Sequence, residues 1–186
     1  DDSLLEKYTF CKKPYAVTVC RIEPENNVHV ILESFSKMPD EPLVFVGNWE
    51  KSEYGRTLKE KFRACKNIYL LDPIYEPHTV NWLRSNARVY IHGHSAGGTN
   101  PSLVEAMNLS LPILAFDCVY NRATTEEKCL YWKTSEDLQN LMKELRHSEL
   151  DSESLCEKIA REMGEAGKRL YSWNRIAKQY NALYKI

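Results

Sequence analysis

The residues best suited to chemistry in this chain of 186 residues lie in two short stretches. One runs His92-Gly93-His94-Ser95-Ala96-Gly97-Gly98-Thr99-Asn100-Pro101, with Glu105 about one helical turn further on; the other runs Arg21-Ile22-Glu23-Pro24-Glu25-Asn26-Asn27. Three of the seven glycines, Gly93, Gly97 and Gly98, fall within six residues, which lets backbone approach a ligand closely. Asn100 followed by Pro101 marks a helix start: an asparagine cap, then proline at the one helical position that gives up no bond. Free amides of Gly97, Gly98 and Thr99, together with the positive end of the helix dipole, favour an anion there. Arg21 adds a forked cation, and Asn26 and Asn27 add amide donors. A diphosphate is the guest these groups suit.

Glu105 would be repelled by a diphosphate unless it accepts hydroxyls, and a ribose supplies them. The competing reading is a glutamate placed only to favour the helix dipole. His92 and His94 are two apart at a strand end and so share a side, which makes them candidate catalytic residues. With Glu105 they form a conceivable metal set, but no third ligand has suitable spacing. The reading preferred here is that one histidine contacts sugar or phosphate and the other packs in the core. No glycine fingerprint of dehydrogenase type follows the first strand, and neither Ser95 nor Ser102 sits in a nucleophile elbow.

Those stretches need a scaffold that brings them together. Short β-branched or aromatic runs at 15–20, 42–47, 67–72, 87–93, 111–117 and 129–132 show little polar alternation, as expected of strands covered on both faces. Between them Val28, Ile31, Leu32 and Phe35 recur at helical spacing, as do Leu58 and Phe62, and Val80, Leu83 and Asn86 around Trp82. The alternation predicts an α/β, Rossmann-like, doubly wound parallel sheet of about six strands followed by helices. In the common order 3-2-1-4-5-6, the loops after strands one and four meet at the crevice where ligands bind. These are the two loaded stretches.

Residues 1–14 are expected as a linker or tail, and 15–186 as the binding domain. After Trp132 the pattern predicts helices at 135–146, at 153–170 and from 172 to the end. The last carries Trp173, Ile176, Ala177, Tyr180, Leu183 and Tyr184 on one side. That stripe is expected mostly to cover the domain's own sheet, with aromatic weight to spare for a second partner.

A composition of 43% hydrophobic and 27% charged residues fits one globular core, and a net charge of -1 offers no basic excess for nucleic acid. No apolar run approaches the roughly 20 residues of a membrane span. Six scattered cysteines without CxxC spacing read as reduced thiols of a cytoplasmic protein. The start at Asp1-Asp2 suggests a piece of a longer polypeptide.

Arg21-Ile-Glu-Pro-Glu-Asn-Asn27, Ile74-Tyr75, the run from His92 to Met107 and Tyr120-Asn121-Arg122 together resemble the carboxyl-terminal half of bacterial family-4 glycosyltransferases, in the rhamnosyltransferase branch. The resemblance runs from about Tyr15 to the final helix. It implies one half of a two-domain GT-B enzyme, retaining and metal-independent, with this half binding the donor and ending in a crossover helix. The implied donor is the nucleotide sugar dTDP-rhamnose, used as substrate with no separate cofactor. The implied acceptor is a lipid-linked sugar at the cytoplasmic face of the inner membrane, in cell-surface polysaccharide synthesis. An amino-terminal acceptor-binding domain would be the partner, and the whole enzyme would associate with the membrane peripherally.

Carried over by position, Arg21 would hold the diphosphate, Gly97, Gly98, Thr99 and Asn100 the phosphates and sugar, and Glu105 the ribose. Two departures from the wider family stand out. Gly97 replaces the first of a pair of glutamates eight apart, and Asn26 replaces the lysine that follows the arginine. Two other functions stay open: a nucleotide-sugar epimerase on the same fold, and a non-catalytic nucleotide-binding module.

Overall fold

A computed structural model describes residues 1–148 and 154–184. Six parallel strands, β1 (Ala16–Val19), β2 (Leu43–Val46), β3 (Ile68–Leu71), β4 (Val89–His92), β5 (Ile113–Phe116) and β6 (Leu130–Trp132), form one sheet in the order β3-β2-β1-β4-β5-β6. Both the doubly wound sheet and its reversal between β1 and β4 match the sequence expectation. β2 and β4 are buried end to end, whereas β3, at an edge, buries only Ile68.

The crossovers are α2 (Val28–Ser36), α3 (Glu53–Phe62), α4 (Pro77–Ser85), α5 (Pro101–Asn108) and α6 (Val119–Thr124); α7 (Ser135–His147), α8 (Leu155–Leu170) and α9 (Trp173–Leu183) follow the sheet. α7 packs on α2 and α8 on α5. α7 and α8 each begin with a reciprocal capping box, Thr134 with Asp137 and Ser154 with Glu157. The expected first residue of α8, Glu153, lies outside the described residues. Six-residue α6 has no apolar period and escaped the sequence reading.

Buried polar groups lock the layers. Thr18 Oγ1 donates to the Ile91 carbonyl at 3.1 Å, tying β1 to β4, and Tyr15 donates to the Leu83 carbonyl at 2.6 Å, fixing the last turn of α4. At the amino-terminal edge of the sheet, where Tyr15 also lies, Asn67 donates to the carbonyls of Phe35, Met38 and Glu41, while the Glu41 carboxylate receives Arg88 at 2.7 Å and also Arg146.

Two expectations meet a different structure. Residues 1–14 include helix α1 (Asp2–Lys7) and a 3-10 turn, Thr9–Lys12; Tyr8 joins the core and Phe10 stacks on Tyr69 of β3 at 4.3 Å. Apolar and aromatic side chains give this segment something to bury, despite its polar average. The second concerns α9. It buries no residue; Trp173 is 84% exposed and Tyr184 83%. Its stripe therefore does not cover the domain's own sheet, whose faces are already occupied by α2, α5, α7 and α8.

Candidate functional site

The loops after β1 and β4 are joined by a compact set of bonds. Asn26 donates from Nδ2 to the Arg21 carbonyl at 2.7 Å and accepts at Oδ1 from His94 Nδ1, also at 2.7 Å. Asn27 donates to the Gly93 carbonyl at 2.8 Å, and the Ser95 amide and hydroxyl both donate to the Glu25 carbonyl at 2.9 Å. Asn27 itself takes a left-handed turn, φ 48°, a conformation asparagine tolerates better than most residues. Gly93 is where the two backbones come closest: a Cβ there would sit 2.1 Å from the Asn26 carbonyl oxygen. No other residue type fits that approach.

Asn26 and Asn27 were expected to offer amides to a ligand. Instead Asn26 is buried, its amide nitrogen donating within its own loop to Arg21 and its oxygen accepting from His94 across the junction, while the Asn27 amide donates across it to Gly93. Their part is to hold the crevice in shape. α6 contributes from the other side, because Asn121 Nδ2 donates to the carbonyls of His94 and Phe116, both at 2.8 Å. Sequence reading had Asn121 only as part of a motif; a buried amide satisfying two loop carbonyls leaves no periodic signal.

The histidines divide as one core and one crevice residue. His92 is 3% exposed, its ring stacks on Tyr90, and its Nε2 is buried without a hydrogen-bond partner. Burial, and then the nearby His94, push its pKa from 6.5 down to about 3. It is therefore a neutral core residue near neutral pH, not an accessible acid or base. His94 is half-buried. Because Asn26 uses its amide nitrogen on Arg21, Oδ1 must face His94, so Nδ1 carries the proton. In the neutral ring Nε2 is then the acceptor, able to take a hydrogen bond from a hydroxyl. Among the described residues no three His, Cys, Asp or Glu side chains converge on a metal position, so His92, His94 and Glu105 do not form one.

A depressed histidine pKa makes stability depend on pH in a definite direction. The unfolded state binds a proton at His92 below about pH 6.5 and the native state does not until about pH 3, so stability is present above the first value and falls as pH drops between them. From pH 7 to pH 5 this costs about 2 kcal/mol. Urea unfolding at both pH values should show that loss in the parent and a much smaller one in His92→Asn. Equal losses in the two proteins would remove His92 as the source.

At the rim, Gly97 and Gly98 have φ of 46° and 53°, are exposed, and have open space where a Cβ would lie. It is their backbone conformation, not crowding, that calls for glycine. Among the described residues the amides of Gly97, Gly98 and Thr99 make no hydrogen bond, and they lie just ahead of α5. Asn100 caps that helix, accepting from the Ser102 amide at 2.9 Å. Arg21 is an exposed cation with only a loose contact to Glu25, 3.7 Å. Lys51, from the loop after β2, reaches Glu23 at 4.0 Å and adds a second cation on that side, which the sequence reading passed over. Glu105 is half-exposed and receives Arg84 of α4 at 2.7 Å. A groove between α3 and β3, lined by Arg56, Lys59, Phe62 and Leu70, shares no residue with these loops.

Among the described residues the arrangement is a polar crevice with unpaired backbone donors and a loosely held guanidinium on its rim, a carboxylate one helical turn in, and an imidazole acceptor on the adjoining loop. It can hold an anion with a hydroxylated group on each side.

Comparison with known proteins gives a consistent picture. The family model described as "Glycosyl transferases group 1" matches residues 4–169. A search of curated proteins found no match. Among solved structures, sucrose-phosphate synthase from Thermosynechococcus elongatus superposes with a TM-score of 0.81 at 16% identity, over 100% of this chain and 48% of that one. Anabaena HepE in complex with UDP gives 0.81 at 13%, over 100% and 53%. The C-terminal domain of LpcC, a glycosyl transferase group 1 protein from Francisella tularensis, gives 0.72 at 16%, over 93% and 95%. The chain thus spans about half the length of the first two and nearly all of the third.

Proposed function

Because the chain belongs to the group 1 glycosyl transferases and has the fold of one GT-B half, we propose that it is the donor-binding domain of a retaining glycosyltransferase. The observation that carries this is the crevice between β1 and β4, where Arg21 and the unpaired amides of Gly97, Gly98 and Thr99 stand ready for a diphosphate. The donor of this reading is dTDP-rhamnose. The acceptor is a sugar or lipid-linked sugar in cell-surface polysaccharide synthesis, at the cytoplasmic face of the membrane, with the whole enzyme held there peripherally. Among the described residues no helix is long and apolar enough to cross a membrane.

Each group then has a part. Arg21 and the glycine amides neutralise charge that grows on the diphosphate as the bond from the sugar's anomeric carbon breaks. The acceptor hydroxyl forms the new bond at that carbon, and its proton passes to the departing diphosphate. Glu105 accepts from the ribose. His94, with Nε2 as acceptor, takes a sugar hydroxyl. α9 crosses to an amino-terminal acceptor domain, which covers its bare aromatic stripe.

Thermal unfolding with a panel of nucleotide sugars is the direct test, since a ligand that binds only the folded state raises the midpoint. No shift with any of them would leave the domain without its donor. Arg21→Ala is expected to weaken dTDP binding by about 1.5 to 3 kcal/mol, the worth of charge-assisted bonds. Unchanged affinity by calorimetry would take Arg21 out of the site. The epimerase alternative differs in product, a free sugar released without acceptor; a purely non-catalytic module would bind nucleotide and give neither product.

A further inference from the structure

Arg84 is an unusual place for a cation. It is 4% exposed, in the last turn of α4, and that turn is fixed by the hydrogen bond from Tyr15 to the Leu83 carbonyl. Its Nη1 donates to Glu105 Oε2 at 2.7 Å, and its Nε is buried with no hydrogen-bond partner. The carboxylate it holds is itself 54% exposed. Burying a guanidinium is costly, and an apolar side chain of similar size usually serves stability as well or better. The expense makes physical sense if the exposed carboxylate is what must be held still.

Resting on the donor-site reading above, we infer that Arg84 is a positioning residue that sets Glu105 for the ribose and leaves it a single free oxygen, so that the site takes 2′-deoxyribose and ribose nucleotides about equally. A vicinal diol is matched best when a carboxylate gives one oxygen to each hydroxyl. Arg84 takes one lone pair of Oε2 and fixes its direction, so the diol meets Oε1 first, through one hydroxyl. A site that kept a dedicated acceptor for the 2′-hydroxyl would instead reject the deoxy compound strongly, because that acceptor would be left unpaired.

UDP and 2′-deoxy-UDP, identical but for one hydroxyl, are the probes, titrated by calorimetry into the whole chain. The parent should bind them within about threefold of each other. Arg84→Met should bind both more weakly, because Glu105 is no longer held. It should also favour UDP by about tenfold, because both carboxylate oxygens are now free for the diol. Added to Glu105→Gln, Arg84→Met should cause no further loss. Glu105→Gln, which keeps an oxygen for Arg84 and whose folding is checked by its unfolding midpoint, should lower both affinities by the same factor.

A ratio that Arg84→Met leaves unmoved, an equal added loss in the Glu105→Gln background, or a Glu105→Gln loss confined to UDP each overturns the inference. If Arg84→Met does not fold, Arg84→Gln takes its place under the same criteria. Binding of neither nucleotide by the parent overturns the donor-site reading and this inference with it; binding with the wrong ratio overturns only this one.

Discussion

Given dTDP-rhamnose and a sugar-capped lipid acceptor, this chain alone is expected to bind donor and transfer essentially nothing, while the whole enzyme turns over. Holding two reactants in register accounts for as much as about 7 to 11 kcal/mol of a barrier in well-oriented systems, or about five to eight orders of magnitude in rate. The chain offers one wall. On the reading proposed above, its crevice takes the diphosphate and nucleoside, and the acceptor sugar belongs to the other domain. It also spans about half of two solved structures that it resembles, 48% and 53% of their lengths. Radiolabelled donor and chromatography of the lipid fraction would measure the rate. Transfer by the fragment at a rate near that of the whole enzyme would mean that it is a complete catalyst and that the two-domain reading is wrong.

The largest effect of a single substitution on stability is expected at Gly93. Its missing Cβ leaves room for the Asn26 carbonyl oxygen, 2.1 Å from where that carbon would sit, and for Ile31 Cδ1 at 2.9 Å. The nearest obstacle is backbone, which cannot turn aside as a side chain can. Gly93→Ala must therefore part the loops, stretching the bonds from Asn27 to Gly93 and from His94 to Asn26. Overpacking of this kind costs typically about 1 to 3 kcal/mol, with broken buried hydrogen bonds adding to it. Chemical unfolding should show a loss of about 3 kcal/mol or more, accompanied by loss of nucleotide binding. Gly98→Ala provides the contrast: it meets no atom within 4 Å, so only its positive φ resists. A stability loss at Gly93 no larger than at Gly98 would refute the close-approach argument.

Much of this was legible before any coordinates. Buried parallel strands announce themselves as apolar runs with no alternation, and Asn100-Pro101 announces a helix start; the common doubly wound order then supplied the meeting of the two loops. What stayed hidden shares a different physics. Asn26 looks like a ligand donor because its type permits that, and only the position of the Arg21 carbonyl decides that its amide turns inward. Arg84 is one arginine among many until a neighbouring helix buries it. His92 and His94 have the same type and two-residue spacing, yet the first belongs to the core and the second to the crevice. The stripe on α9 is periodic enough to predict a buried face, but periodicity does not say whose surface buries it. Pattern reports which side of an element is apolar, while partners across the chain are set by topology.

That topology also fixes when the crevice can exist. Every neighbouring pair in the sheet joins strands consecutive in the chain except β1 with β4. The bonds across that seam span 68 residues from Asn26 to His94 and 73 from Thr18 to Ile91. During synthesis the first loop waits until three more strands and their helices have been made, and the β1–β4 pairing is the non-local closure that comes after the local pairings. Each half holds only part of the site in the meantime, so a nascent chain lacks the assembled crevice until β4 has joined β1.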